Sequence, residues 1–218
     1  MTRTGDPQNL RNAVRALGRR DPDLARARTE GGPLPDRDRP GGLATLLRIL
    51  VQQQVSIASA DAIWGRLSAV LEAPDAGALD PRRVLEQDDA ALLGAGLSRP
   101  KAAYCRHMAE AVASGRLDLE GLADLDDGAA FEALVAVKGI GRWTAEIYLL
   151  FSLDRRDVWP AHDVALQVAV ERLKGLEARP TVKEMDAIAE AWRPWRGVAA
   201  QILWRYYRVV TGRTDPGR

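Results

Sequence analysis

Cysteine is almost absent from this 218-residue chain. With Cys105 alone, no disulfide framework can form, and four cysteines are not available for a zinc site or an iron–sulfur cluster. A reducing, intracellular setting is therefore expected. Long apolar runs are absent too. None follows Met1 and none is long enough to span a bilayer, so neither a signal peptide nor membrane association is expected. No single sign of charge dominates: 31 Lys and Arg face 30 Asp and Glu, a net charge of +1 that does not announce a polyanionic partner. Strand-like alternation is hard to find anywhere, and no internal repeat or low-complexity tract is evident.

What is present is helical periodicity. Hydrophobic residues make up 46% of the chain and charged residues 28%, enough for an ordinary buried core at this length. One helix is expected over Asn9–Leu17, followed by the Gly- and Pro-rich loop of residues 31–42. Leu43, Leu46, Leu47 and Leu50, then Ile57, Ile63, Leu67 and Val70, fit two helices joined near Gln52–Ser56. One short helix is expected over Pro81–Leu93, ended by Gly94 and Gly96, and another over Pro100–Ala113. Further helices follow over Phe131–Val137, Arg142–Leu150, Val164–Leu173, Thr181–Trp192 and Gly197–Val210, with Thr181 and Glu184 forming a capping box. The fold class is all-α.

Charge is unevenly distributed. From Ala191 onward Arg193, Arg196, Arg205, Arg208, Arg213 and Arg218 are opposed only by Asp215, while Asp118–Asp127 is acidic. A locally basic face suits a nucleic acid, and a solvated arginine-rich helix explains it equally well.

The most informative stretch is Phe131–Leu166. Gly139-Ile140-Gly141 makes a tight turn between two apolar helical segments. Glycine tolerates positive φ and lets another backbone approach, and a helix starting at Arg142 offers free amides to an anion. A plain turn between antiparallel helices remains the alternative. Asp163 follows a Pro160 break and directly precedes an apolar helix, so it reads as an N-cap, as a carboxylate for chemistry, or as both. Gln52-Gln53-Gln54 interrupts otherwise apolar helices with three consecutive amides.

Taken together, GIGRWTA and DVWPAHDVAL resemble the helix-hairpin-helix DNA glycosylase superfamily with its Gly/Pro-rich loop and aspartate (HhH-GPD). The closer likeness is to the bacterial 3-methyladenine DNA glycosylase II (AlkA-type) branch. The segments Ile49–Leu67, Gly96–Ala111 and Ala191–Tyr207 carry the same resemblance in the same order, which covers about Gly42 to Tyr207. The β-rich N-terminal domain of some members has no counterpart here.

The resemblance implies a two-lobed helical fold with an active-site cleft between lobes. Residues 1–41 form an extension packing with the C-terminal lobe, 42–125 a lobe carrying a wedge segment, and 126–218 the hairpin and C-terminal lobe. It implies a base-excision enzyme that flips an alkylated base out of double-stranded DNA and hydrolyses its N-glycosidic bond. Asp163 is the implied catalytic carboxylate, with His162 in place of a second acidic residue found in some members. Trp143 occupies the position of the lysine nucleophile of bifunctional members, and Lys138 lies before the turn. The implied chemistry is therefore base removal without strand cleavage.

Trp143 also suits a cationic alkylated base by stacking and cation–π attraction. Trp204 matches a second pocket aromatic, although a core role is equally open, and Tyr148 and Trp159 are further wall candidates. Gln54, with Gln53 beside it, matches the minor-groove wedge. Gly139, Gly141, Arg142 and Thr144 match the DNA-backbone contacts. Carbonyls of Val135, Val137 and Gly139 match a site for a hard cation (Na, K, Mg or Ca), and no organic cofactor is implied. A cytoplasmic, nucleoid-associated monomer is expected. 3-Methyladenine leads the substrates, ahead of 7-methylguanine, ethenoadenine and hypoxanthine. The alternatives are a non-catalytic helix-hairpin-helix DNA-binding module and a glycosylase for other damaged bases, including a bifunctional oxidised-base enzyme.

Overall fold

A computed structural model describes residues 7–34, 39–73 and 79–212. Arg213, Asp215 and Arg218 lie outside the described residues, as does the middle of the 31–42 loop. Among the described residues all regular structure is helical. In order, the α-helices are α1 Pro7–Arg20, α2 Pro22–Gly31, α3 Leu43–Gln52, α4 Ile57–Val70, α5 Pro81–Leu85 and α6 Asp89–Gly94. They continue with α7 Arg99–Ala113, α8 Asp127–Val135, α9 Arg142–Ser152, α10 Val164–Lys174, α11 Val182–Ala189 and α12 Arg196–Thr211, with short 3-10 turns at Gly121–Asp124 and Glu190–Trp192. No described helix is long and apolar enough to cross a membrane.

Local chemistry sets these boundaries. Ser56, Asp80, Asp88, Ser98, Asp126 and Asp163 each accept a first-turn amide, closing helices that would otherwise fray. The capping box of Thr181 and Glu184 is formed on both sides. The single helix expected over Pro81–Leu93 is two, because Asp88 accepts from the Ala91 amide and begins a fresh helix. The helix α2 escaped the sequence pattern altogether. Its sequence PDLARARTEG buries only Leu24, Ala27 and Gly31, so the arginines mask a narrow apolar stripe. Asp21 caps it through the amides of Asp23 and Leu24, and Pro22 stands in its first turn.

The chain divides into two compact units. The first comprises Met1–Asp38 and Asp154–Arg218. Within it α12 packs on α2 and α10, and α1 packs on α2. Gly31 lets α2 approach closely: a methyl there would lie 3.0 Å from both the Arg205 Cβ and the Tyr206 amide nitrogen. Leu17, Leu24, Leu166, Val170, Ile202 and Leu203 are buried, as are Trp192 and Trp204. A polar knot joins distant elements: Asp21 accepts from Lys174 Nζ and from Trp192 Nε1, each at 2.8 Å.

The second unit is Arg39–Leu153. Helix α3 buries eight of its ten residues, among them Leu46, Leu47, Ile49 and Leu50. Each fully buried leucine is worth about 1.5–3 kcal/mol. Helices α9, α4 and α7 cover it, and α8 packs on α9. The hairpin α8–α9 therefore groups with residues 39–125, not with the C-terminal lobe as the sequence suggested. The reason is the apolar face of α9, which lies buried along Thr144–Phe151 and packs on α3.

Candidate functional site

Asp163 closes a tight turn. The Ala161 amide donates to the Trp159 carbonyl at 3.0 Å, and the Asp163 amide donates to the Pro160 carbonyl at 2.9 Å. This turn delivers the carboxylate to the N-terminus of α10, where Oδ1 accepts from the Leu166 amide at 3.0 Å. Trp204 Nε1 donates to the same oxygen at 3.2 Å. Asp163 is 5% exposed and His162 beside it is exposed. Gln167 Nε2 braces the turn from inside by donating to the Ala161 carbonyl at 3.0 Å. The carboxylate is thus fixed by two N–H donors and by the positive end of α10, an arrangement that orients a negative charge for use.

The aromatic wall candidates do not share one environment. Trp204 is 0% exposed and presents its N–H to Asp163 from within the core. Tyr148 is fully buried, and its hydroxyl accepts the Gly42 amide at 2.8 Å; burial raises its pKa. Trp159 is buried edge-on against Trp192, with centroids 5.3 Å apart and planes at 76°. Tyr148 and Trp159 are each buried within their own unit. Trp143 alone of the four stays half-buried, on the first turn of α9. Periodicity identified the helices that carry Trp143, Tyr148 and Trp204 but not the depth at which each ring sits.

The hairpin turn has two glycines with different duties. Gly139 has φ +102°, and a methyl there would lie 2.6 Å from Tyr104 Cβ, so neither conformation nor space permits a side chain. Gly141 has φ −82°, and nothing lies within 4 Å of where its methyl would point. Gly141 is also the N-cap of α9, and no side chain caps that helix. The space beside Gly141, at the positive end of the dipole, is open for an anion to approach. Ile140 is buried and pins the turn to the core.

Arg142 is exposed; its guanidinium donates to Glu146 at 2.8 Å and lies 5.7 Å from the centre of the Phe131 ring. Thr144 does not reach outward: it is 0% exposed, and its hydroxyl accepts from Gln53 Nε2 at 2.6 Å. Gln53 is thereby tied to the hairpin. Gln54 is the displayed residue. It is exposed with φ +58°, a left-handed conformation uncommon outside glycine, and Val55 beside it is 39% exposed. Glu72 and Asp154 share such a left-handed backbone, with φ +48° at each.

Sequence reasoning missed Lys101 and Tyr104 of α7. Lys101 Nζ donates to the carbonyls of Val51 at 2.9 Å and Gln53 at 2.7 Å. Only a lysine within an apolar helical face hinted at it. The basic C-terminal segment is largely spoken for: Arg193 and Arg196 pair with Asp157 at 2.8 and 3.0 Å, and Arg205 donates to the Gly31 carbonyl at 3.1 Å. Among the described residues no group of three or more His, Cys, Asp or Glu side chains is placed to hold a metal ion. A cation at the hairpin would therefore rest on backbone oxygens.

Known proteins resemble this chain across most of its length. The family model for HhH-GPD superfamily base excision DNA repair proteins matches residues 47–194. DNA-3-methyladenine glycosylase 1 of Schizosaccharomyces pombe is 31% identical over 166 residues, covering 76% of this chain and 72% of the relative. The solved structure of an S. pombe 3-methyladenine DNA glycosylase in complex with abasic DNA superposes with a TM-score of 0.80 at 28% identity, covering 90% of this chain and 95% of that one. A DNA-3-methyladenine glycosidase from Bacillus halodurans superposes with a TM-score of 0.76 at 34% identity, covering 96% and 92%.

Proposed function

The chain belongs to the HhH-GPD superfamily of base excision DNA repair proteins, and we propose that it is a monofunctional DNA glycosylase for alkylated bases. The observation that carries this reading is Asp163, a nearly buried carboxylate held by the Leu166 amide and the Trp204 indole. 3-Methyladenine and 7-methylguanine are the foremost substrates, presented in double-stranded DNA to a monomer in the cytoplasm.

The chemistry follows from the groups available. Alkylation at a purine ring nitrogen makes the base cationic, so it leaves as a neutral molecule carrying the electron pair of the N-glycosidic bond. Positive charge then spreads over C1′ and the ring oxygen of the sugar. The fixed charge of Asp163 stabilises that oxocarbenium character without reorganising. Water adds to C1′ and loses its proton, to Asp163 or to solvent, leaving an abasic site. With Trp143 where bifunctional relatives place a lysine, that position offers no amine for a Schiff base, and the strand stays intact.

DNA is held by chemistry that ignores sequence. The uncapped N-terminus of α9, with open space at Gly141, accepts a phosphate, and Gln54 enters the gap left by the flipped base. A hard cation fits the carbonyls of Val135, Val137 and Gly139, since the exit of α8 is the negative end of its dipole. The Val137 carbonyl already accepts the Ile140 amide at 3.0 Å, so it would contribute its second lone pair.

The test is a panel of duplex oligonucleotides each bearing one alkylated base, assayed for alkali-labile abasic sites. Excision is expected from wild type and not from Asp163→Asn, with no covalent complex trapped by borohydride. Excision unaffected by Asp163→Asn, or a trapped complex, overturns the mechanism. DNA binding without any excision leaves only a binding module.

A further inference from the structure

Lys101 and Tyr104 stand one turn apart on α7, outside every element assigned to DNA above. The carbonyls that Lys101 engages, those of Val51 and Gln53, lie at the C-terminal end of α3 and its cap. Carbonyls there have run out of helical N–H partners and sit at the negative end of the helix dipole. The two hydrogen bonds therefore fasten the backbone immediately before Gln54. The Gln53 side chain is fastened separately, to Thr144 on α9. From the same α7 face Tyr104 fills the space against Gly139 of the hairpin turn.

We infer that Lys101 is a positioning residue for base flipping: it holds the end of α3 so that Gln54 projects in its left-handed conformation, in register with a hairpin turn seated on Tyr104. One helix thus sets both the inserted side chain and the strand-gripping turn. This rests on the reading of Gln54 as the wedge. Burial pushes the Lys101 ammonium pKa down, and the ammonium there donates to the two carbonyls. A lysine that merely stabilised the fold would have no reason to affect paired bases more than unpaired ones.

That contrast supplies the test. Single-turnover excision of one alkylated base is measured in two duplexes, paired normally or opposite an abasic analogue that leaves it unpaired. Lys101→Met is expected to slow excision from the paired duplex by about 10- to 100-fold and from the unpaired one by under about threefold. Lys101→Arg, which keeps a cation and its donors, is expected to recover most of the paired rate. Equal slowing on both substrates, or none, overturns the inference. Should Lys101→Met lose its cooperative melt, Lys101→Gln carries the same comparison. Gln54→Ala separates the two levels. If it shows no difference between paired and unpaired bases, the wedge reading falls and this inference with it. If Gln54→Ala discriminates and the Lys101 variants do not, the inference alone falls.

Discussion

The indole Nε1 of Trp204 lies 3.2 Å from Oδ1 of Asp163, although 41 residues separate them. It shares that oxygen with the Leu166 amide, so α12 holds the carboxylate that caps α10. A hydrogen bond to a charged group is worth about 1.5–3 kcal/mol. Trp204→Phe removes the donor and is expected to slow single-turnover excision by about 10- to 100-fold. Melting will also fall, because the smaller ring underfills a fully buried site. Affinity for abasic DNA should change little, which separates loss of chemistry from loss of fold.

The hairpin glycines predict opposite phenotypes. At Gly139 a methyl meets Tyr104 in a left-handed backbone, so Gly139→Ala should destabilise the protein by about 1–3 kcal/mol, read by denaturant unfolding. At Gly141 conformation and space are both permissive. Gly141→Ala should melt like wild type and still lose DNA affinity, because the methyl intrudes where a phosphate must come close. Unchanged affinity would remove Gly141 from the DNA interface.

Gln54 occupies a conformation that glycine adopts freely. Gln54→Gly should therefore leave stability within about 1 kcal/mol of wild type, strain relief being set against unfolded-state entropy. Excision of a normally paired base should nevertheless fall, because nothing then fills the flipped-out space. Stability from denaturant titration and single-turnover rates are the two readouts.

The Asp21–Lys174–Trp192 knot predicts an acid limit. Burial raises the pKa of Asp21, but hydrogen bonds from Lys174 and Trp192, with the Lys174 charge, bring it below its ordinary 3.8. Asp23, bonded to Lys174, is lowered as well. A lowered carboxyl stabilises the fold fully above its unfolded value and loses that contribution as pH falls through the folded value. The melting temperature should drop steeply below about pH 4. Lys174→Met should melt lower at neutral pH, and the gap should close as both carboxyls protonate. A gap that persists in acid would mean that Lys174 matters through packing.

Much of the helical order was legible because it is local. The break after Gln52, the capping box of Thr181 and the Gly139 turn are written in adjacent residues, whose chemistry acts over one helical turn. Helix α2 was not legible, since Asp23, Arg26 and Arg28 lie among its three buried residues and only its packing on α12, α1 and α10 shows which side is inward. The split at Asp88 was missed because an N-cap is strong enough to restart a helix inside an otherwise continuous pattern. Likewise Gln53 and Gln54 look alike in the sequence, yet one reaches Thr144 across 91 residues and the other is left exposed.

Sequence alone determined that the chain is helical, that a glycine turn precedes an isolated aspartate, and that no lysine stands at position 143. Those properties depend on residue identity and near spacing, which folding does not alter. Tertiary structure decided depth and partnership. Packing turned Trp204 toward Asp163 and placed Tyr148 and Trp159 in the core. It also brought Lys101 to the end of α3, 48 residues earlier at Gln53. Such contacts form only where helices distant in sequence come to share a buried face, because that face must exclude water and satisfy every polar group enclosed within it.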